Sequence, residues 1–239
     1  MENVLNFGYD SLPMISLSLL TKKFSNRTAV ENLSFKIKEG EIVGFIGPNG
    51  AGKTTTMRLI LGYLQPTSGK AMVDGYNPIN NHFEISKIIG YLPENNPLYL
   101  EMKVREYLEF ISAIKKSQDY LSIVEKVELT DVLSVKIEEL SRGYKQRVGL
   151  AAALIGNPRV MILDEPTSGL DPLEQEKIRI LIKKLAKNKI IIFSTHIMSE
   201  VEDVANRLIV INKGKIVYDG KKPKGKGDVE KLFKKVVKS

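Results

Sequence analysis

Apolar and polar residues alternate from Ile15 to Leu19 and again from Leu33 to Ile37, the period-two pattern of half-buried β-strands. Residues 41–47 (EIVGFIG) form an almost unbroken apolar run ending in glycine, which predicts a buried strand feeding a loop. Helical spacing follows from Lys53 through Leu61. Residues 84–139 are poor in strand signals, and VREYLEFISAIKK (104–116) and YLSIVEKVEL (120–129) carry helical periodicity. We read this stretch, continued to about residue 150, as an inserted helical lobe. Strand-like runs return at Val160–Leu163, Ile190–Phe193, Leu208–Ile211 and Lys215–Tyr218. Between the first two of these, Asp171 suits a helix N-cap and Pro172 a first helical turn. Strands alternating with helices around a glycine-rich loop predict an α/β fold with a mostly parallel sheet.

Residues 1–13 precede this pattern as an N-terminal extension without periodicity, with Met14 as a candidate natural start. The extension carries Glu2 and Asp10 and no basic region, so no secretory signal is expected. Uncharged stretches reach 11 residues at most, for example Ile42–Gly52, against roughly 20 for a spanning helix. The expectation is a cytoplasmic chain that does not itself cross a membrane. A length of 239 residues suits one domain or one domain with an inserted lobe. The absence of cysteine excludes disulfides, thiolate metal sites and cysteine nucleophiles, and two histidines argue against a histidine-rich metal centre.

The net charge of +8 first suggests nucleic acid or an anionic surface as partner. Its distribution changes that reading. Residues 221–239 hold eight lysines against Asp228 and Glu230, a net +6, which leaves +2 on the preceding 220 residues. In this Lys-rich tail Val229, Leu232, Phe233, Val236 and Val237 recur at helical spacing, predicting a short amphipathic helix with Asp228 as a candidate cap. Its apolar stripe suits either docking on the domain or contact with anionic lipid.

The strongest chemical signal is GPNGAGKTT, residues 47–55, which fits G-x-x-x-x-G-K-[ST]. Gly47, Pro48, Asn49, Gly50, Ala51 and Gly52 form a turn whose N–H groups face phosphate oxygens, and the following helix adds its positive dipole end. Lys53 would reach the β- and γ-phosphates, the Thr54 hydroxyl would ligate Mg²⁺, and Thr55 continues the phosphate contact. VMILDE, Val160 to Glu165, is an apolar run ending in two carboxylates. Adjacent strand side chains point opposite ways, so Asp164 can hold Mg²⁺ through its water shell while Glu165 faces the γ-phosphate as general base. A D-E pair alone also suits a polar strand end; the phosphate loop is what favours the metal reading.

Further residues narrow the class. LSRGYKQR, Leu140 to Arg147, stands twenty residues before the strand at Val160; SGLD occupies 168–171 and Ser194-Thr195-His196 follows the Ile190 strand. With Phe24, Glu94, Asp164 and Glu165 in register, residues 14 to about 220 resemble the ATP-binding subunit of ABC (ATP-binding cassette) transporters. The resemblance implies a P-loop NTPase fold of ABC type: a mostly parallel central sheet with an antiparallel β edge and a helical lobe. It implies that Phe24 stacks on adenine, although an aromatic there equally suits core packing. Ser141 and Gly143 would bind the γ-phosphate held by the opposite protomer, and His196 would contact it and position water. A bare LSRG also suits an ordinary helix cap, and Asp171, matching the aspartate that crosses the dimer interface, keeps its capping role too.

Two departures stand out. Glu94 replaces the family's usual glutamine where the lobes join; it still offers Mg²⁺ an oxygen, but its charge puts the sensing of the γ-phosphate in question. Arg142 and Tyr144 replace glycine and glutamine in the signature, a variant resembling drug, polysaccharide and gliding-type export systems. The function implied is an ATP-hydrolysing motor that binds ATP and Mg²⁺ between two ATPase subunits, identical or paralogous. It would drive a separate integral-membrane permease, for export, from the cytoplasmic face of the membrane as a peripheral subunit, with no nucleic acid partner. The competing reading is a soluble ABC ATPase acting on nucleic acid or ribosomes. Such proteins carry long coiled coils, paired cassettes or zinc cysteines, and none is present in this sequence.

Overall fold

The structure, a computed structural model, describes residues 14–187 and 189–238; the extension expected over 1–13 lies outside the described residues. Two sheets form. Strands β1 (Ile15–Phe24), β2 (Arg27–Ile37) and β4 (Ser68–Val73) make an antiparallel sheet in the order β2-β1-β4. The larger sheet contains β3 (Ile42–Ile46), β5 (Ile89–Leu92), β6 (Val160–Asp164), β7 (Ile190–Thr195), β8 (Arg207–Asn212) and β9 (Lys215–Lys221). Its order is β5-β6-β7-β3-β8-β9, parallel throughout except for the edge strand β9. This is the mixed α/β architecture anticipated from sequence.

The central strands are apolar on both faces because both faces are covered. On β6, Val160 and Ile162 join one core cluster while Met161 and Leu163 join the other. On β7, Ile190 and Ile192 separate from Ile191 and Phe193 in the same way. Each such side chain contributes roughly 1.5–3 kcal/mol by leaving water. One face meets the antiparallel sheet and α1 (Lys53–Ile60). The other meets α5 (Arg142–Leu154), α6 (Pro172–Leu185) and α7 (Met198–Val204). Helices α2 (His82–Ile88), α3 (Val104–Lys115) and α4 (Tyr120–Lys126), with 3₁₀ turns at Thr130–Val132 and Ile137–Glu139, complete the segment between β4 and α5.

Within the stretch read as helical, Ile89–Leu92 is instead the edge strand β5, paired with Val160–Leu163. Four residues carry too little periodicity to announce a strand; pairing with a buried neighbour decides the matter. Strand β4 was likewise silent, since SGKAMV begins polar and exposed. Arg147, buried on α5, ties this region together, its guanidinium 2.7 Å from the Glu128 carboxylate and 3.6 Å from that of Glu174 on α6.

The last helix, α8 (Asp228–Lys238), turns its apolar stripe onto the body. Val229 is fully buried, and Leu232, Phe233, Val236 and Val237 pack against the same cluster as α7. Lys231, Lys234, Lys235 and Lys238 face outward. Glu202 of α7 accepts hydrogen bonds from the N–H groups of Gly227 (2.8 Å) and Val229 (3.3 Å), fixing the start of α8. The stripe is therefore satisfied by protein rather than left for lipid.

Helix α5 can approach β5 only because residue 90 lacks a side chain: a Cβ there would lie 2.2 Å from the carbonyl oxygen of Ala153. Gly90→Ala is expected to destabilise the protein by about 1–3 kcal/mol, read as a lowered urea midpoint with an unchanged slope.

Candidate active site

The glycine-rich loop joins β3 to α1, and its backbone needs glycine at two points. Gly50 and Gly52 have φ of 75° and 112°, and a Cβ on Gly52 would fall 2.7 Å from the Ala29 carbonyl oxygen. No side chain caps the start of α1 and its first turn holds no acid, so its free N–H groups and dipole face outward to an anion. Lys53 is 7% exposed, and its ammonium donates to the Gly47 carbonyl at 2.8 Å, bending the side chain back over the loop.

Two carboxylates meet this loop from β6. Asp164 closes the strand opposite Ser194 of β7, whose hydroxyl donates to Asp164 Oδ1 at 2.5 Å and accepts from the Glu165 N–H at 2.9 Å. Asp164 Oδ2 is buried without a hydrogen-bond partner among the described residues. Glu165 is not a further strand residue. It takes a φ of +49°, so a left-handed turn rather than the strand pleat swings its carboxylate away from that of Asp164. Glu165 Oε1 then lies 3.4 Å from the Lys53 ammonium and Oε2 lies 2.8 Å from His196 Nδ1. The carboxylate is buried while the imidazole is about half exposed.

Lys53, Glu165 and His196 line a cleft of about 550 Å³. Of the residues singled out from sequence, it gathers Phe24, the loop from Pro48 to Thr55, Glu94, Glu165 and His196. Phe24 stands at the rim, 45% exposed, with the Lys22 ammonium 5.0 Å from its ring centre, so it is not a core residue. Gly47 and Asp164 adjoin lining residues in sequence but do not themselves line the cleft. Ser141, Gly143 and Asp171 are not part of the cleft. Ser141 caps α5, accepting from the Tyr144 N–H at 3.3 Å, and Asp171 caps α6, accepting from Leu173 and Glu174 at 3.0 Å each. A Cβ on Gly143 would press on the Glu174 carboxylate at 2.5 Å, and one on Gly169 would meet the Arg142 guanidinium at 2.1 Å. The starts of α5 and α6 thus form one surface.

Arg27 and Ser168 also line the cleft and were not anticipated. Arg27 pairs with Phe24 across a two-residue turn, and its guanidinium donates to the Gly50 carbonyl at 3.0 Å. Its position opposite Phe24 was the available signal. The site fits Mg²⁺ with a nucleotide: an unpartnered buried carboxylate oxygen on Asp164, a threonine hydroxyl at the helix start, and few enough protein oxygens that phosphates and water complete the shell.

Asp164 also acts on Tyr91 of β5, whose phenol is pushed up to about 12, chiefly by burial and then by the Asp164 charge. A phenol harder to ionise in the fold than in the unfolded chain supports stability fully below pH 10, and that support is lost as pH climbs toward 12. Tyr91→Phe should therefore flatten the decline of the urea midpoint between pH 10 and 12.

A family model described as ABC transporter matches residues 30–168. The ATP-binding protein YhcH of Bacillus subtilis (strain 168) is 37% identical over 210 residues, 85% of this chain and 68% of that protein. The bacitracin transport ATP-binding protein BcrA of Bacillus licheniformis is 39% identical over 211 residues, 86% and 69% of the two chains. Among solved structures, an ATP-binding subunit of an ABC transporter superposes with a TM-score of 0.80 at 25% identity, covering 95% of both chains. The cassette MJ0796, in a dimeric post-hydrolysis state with ADP and Pi, gives 0.78 at 28% identity over 87% of this chain and 98% of that one. With the phosphate loop, the carboxylate pair and the histidine converging on one cleft, the chain belongs to the ABC transporter ATP-binding family and is an ATPase.

Proposed function

We propose that this chain is the motor subunit of an export-type ABC transporter, hydrolysing MgATP between two ATPase subunits and driving a separate membrane permease. The observation that carries the catalytic reading is the placement of Glu165 between Lys53 (3.4 Å) and His196 (2.8 Å) at the mouth of the phosphate loop. In this mechanism Phe24 stacks on the adenine, the N–H groups of residues 48–55 bind phosphate oxygens, and Lys53 turns from the Gly47 carbonyl to the β- and γ-phosphates. Thr54, Glu94 and Asp164 would hold Mg²⁺, which would supply charge neutralisation at the phosphates. Glu165 takes the proton of the attacking water, and His196, held against it, orients that water and contacts the γ-phosphate.

The second half of each site comes from a partner subunit. Ser141 and Gly143 lie outside their own chain's cleft, on the surface shared by the starts of α5 and α6. That position supports a role toward nucleotide held by the opposite protomer, with Asp171 beside the interface. Contacts available only with the γ-phosphate present favour the closed dimer, and hydrolysis removes that preference.

A second cavity of about 620 Å³ lies where the helical segment meets the sheet, lined by Tyr63, Ile85, Tyr107 and Ile111. It supports permease docking beside Glu94 and transmission of closure through the lobe. No helix among the described residues is long and apolar enough to cross a membrane. The export direction rests on the LSRGY form of the signature.

Glu165→Gln is expected to retain ATP binding, lose turnover at least 100-fold, and accumulate as an ATP-dependent dimer in gel filtration. Undiminished turnover would overturn the general-base assignment. In that background Ser141→Arg should abolish the dimer without weakening ATP binding to the monomer; a dimer that persists would overturn the role given to the signature loop.

A further inference from the structure

We propose that Glu200 is a positioning residue for hydrolysis, a buried carboxylate that clamps the loop following Glu165 to the strand end bearing His196. The inference rests on the reading of Glu165 and His196 as the hydrolytic pair and adds what sets the distance between them.

Those two residues come from different segments. Glu165 opens the turn 165–170, in which the Ser168 N–H bonds to the Glu165 carbonyl at 3.0 Å and the Leu170 N–H to the Thr167 carbonyl at 3.2 Å. His196 is the first residue beyond β7. Ladder pairing between β6 and β7 stops at Asp164 and Ser194, so backbone hydrogen bonds no longer fix the spacing where the chemistry occurs. Glu200 spans that gap. It sits on α7, one turn past His196, and is 1% exposed.

One carboxylate oxygen accepts from the Thr167 hydroxyl and the other from the Thr195 hydroxyl at 2.6 Å. Thr167 and Thr195 are 2% and 0% exposed. Thr195 Oγ1 also accepts from the Ile197 N–H at 3.0 Å, so the clamp fixes the backbone on both sides of His196. Thr167 lies two residues from Glu165 and Thr195 is next to His196.

The energetics argue for a task. Glu200 is buried on hydroxyl donors, with no Lys or Arg ion pair among the described residues. A buried carboxylate held only by neutral donors stabilises a fold less than an apolar side chain of similar volume would. What the arrangement provides is directional: two short hydrogen bonds in a water-excluded place, one to each segment. Neither hydroxyl nor carboxylate lines the cleft, so the effect reaches substrate only through Glu165 and His196.

Thr167→Val and Thr195→Val keep side-chain shape and each remove one arm of the clamp, so they test the idea even if Glu200→Ala folds poorly. Each should lower kcat about tenfold or more, leave the ATP dissociation constant within about twofold, and give no further loss when combined with Glu200→Ala. Glu200→Gln, which can accept from one threonine and donate to the other, should recover most of the turnover lost in Glu200→Ala. Glu202→Ala, on the face of α7 that grips α8, should lower the melting temperature and spare kcat. Wild-type kcat in both threonine variants would overturn the inference, as would a parallel fall of kcat, affinity and melting temperature with no recovery in Glu200→Gln. Failure of the hydrolytic pair itself is read separately, as undiminished turnover in Glu165→Gln.

Discussion

Everything at the site depends on three parallel strands being held in register, β6, β7 and β3, so that their C-terminal ends open at one level. Ladder pairing matches Asp164 with Ser194 and Ile46 with Thr195. At or just beyond these ends stand the carboxylates, the histidine and the phosphate loop. A parallel sheet buried on both faces is therefore more than a scaffold. It converts positions far apart in sequence into neighbours, without any one loop having to reach across the molecule.

The Ser194 hydroxyl carries this register into side-chain geometry. By donating to Asp164 and accepting from the Glu165 N–H, it holds the strand end at the point where the chain turns left-handed. That turn separates the two carboxylates: one faces inward with an unpartnered oxygen suited to a cation, the other lies between an ammonium and an imidazole. Lys53 and Glu165 are both nearly buried, so their mutual attraction is poorly screened and ties the carboxylate to the start of α1. A nucleotide's phosphates would draw Lys53 off the Gly47 carbonyl and toward charge of the opposite sign.

Much of this was legible in the chain because the signals were local. GPNGAGKTT states its own geometry, the run VMILDE shows a buried strand ending in acids, and Asp171-Pro172 marks a helix start. What escaped depended on partners distant in sequence. Strand β5 exists because Val160–Leu163 offers it a ladder, and Arg27 reaches the cleft because a hairpin returns it beside Phe24. A strand pleat would also make Asp164 and Glu165 diverge, but in the fold a left-handed Glu165 does so, and nothing in D-E-P announces that conformation. Glu200 lies in an amphipathic-looking segment, where a glutamate reads as solvent-facing until Thr167 and Thr195 are seen to enclose it.

The charge of the chain takes its meaning from the same packing. Helix α8 carries four lysines on its outer face, yet its apolar stripe is spent on the cluster that also holds α7. A helix so docked cannot insert into a bilayer without first leaving the protein and exposing Val229, which is wholly buried. Its outer face is left with an electrostatic role only, screened beyond about 10 Å at ordinary salt. The phosphate site proposed above draws little on that tail: it would use backbone N–H groups, a helix dipole and one buried lysine in a body of net charge +2. Basicity and nucleotide chemistry are thus separate properties of this chain, although α7 packs between α8 and the strand that leads to His196.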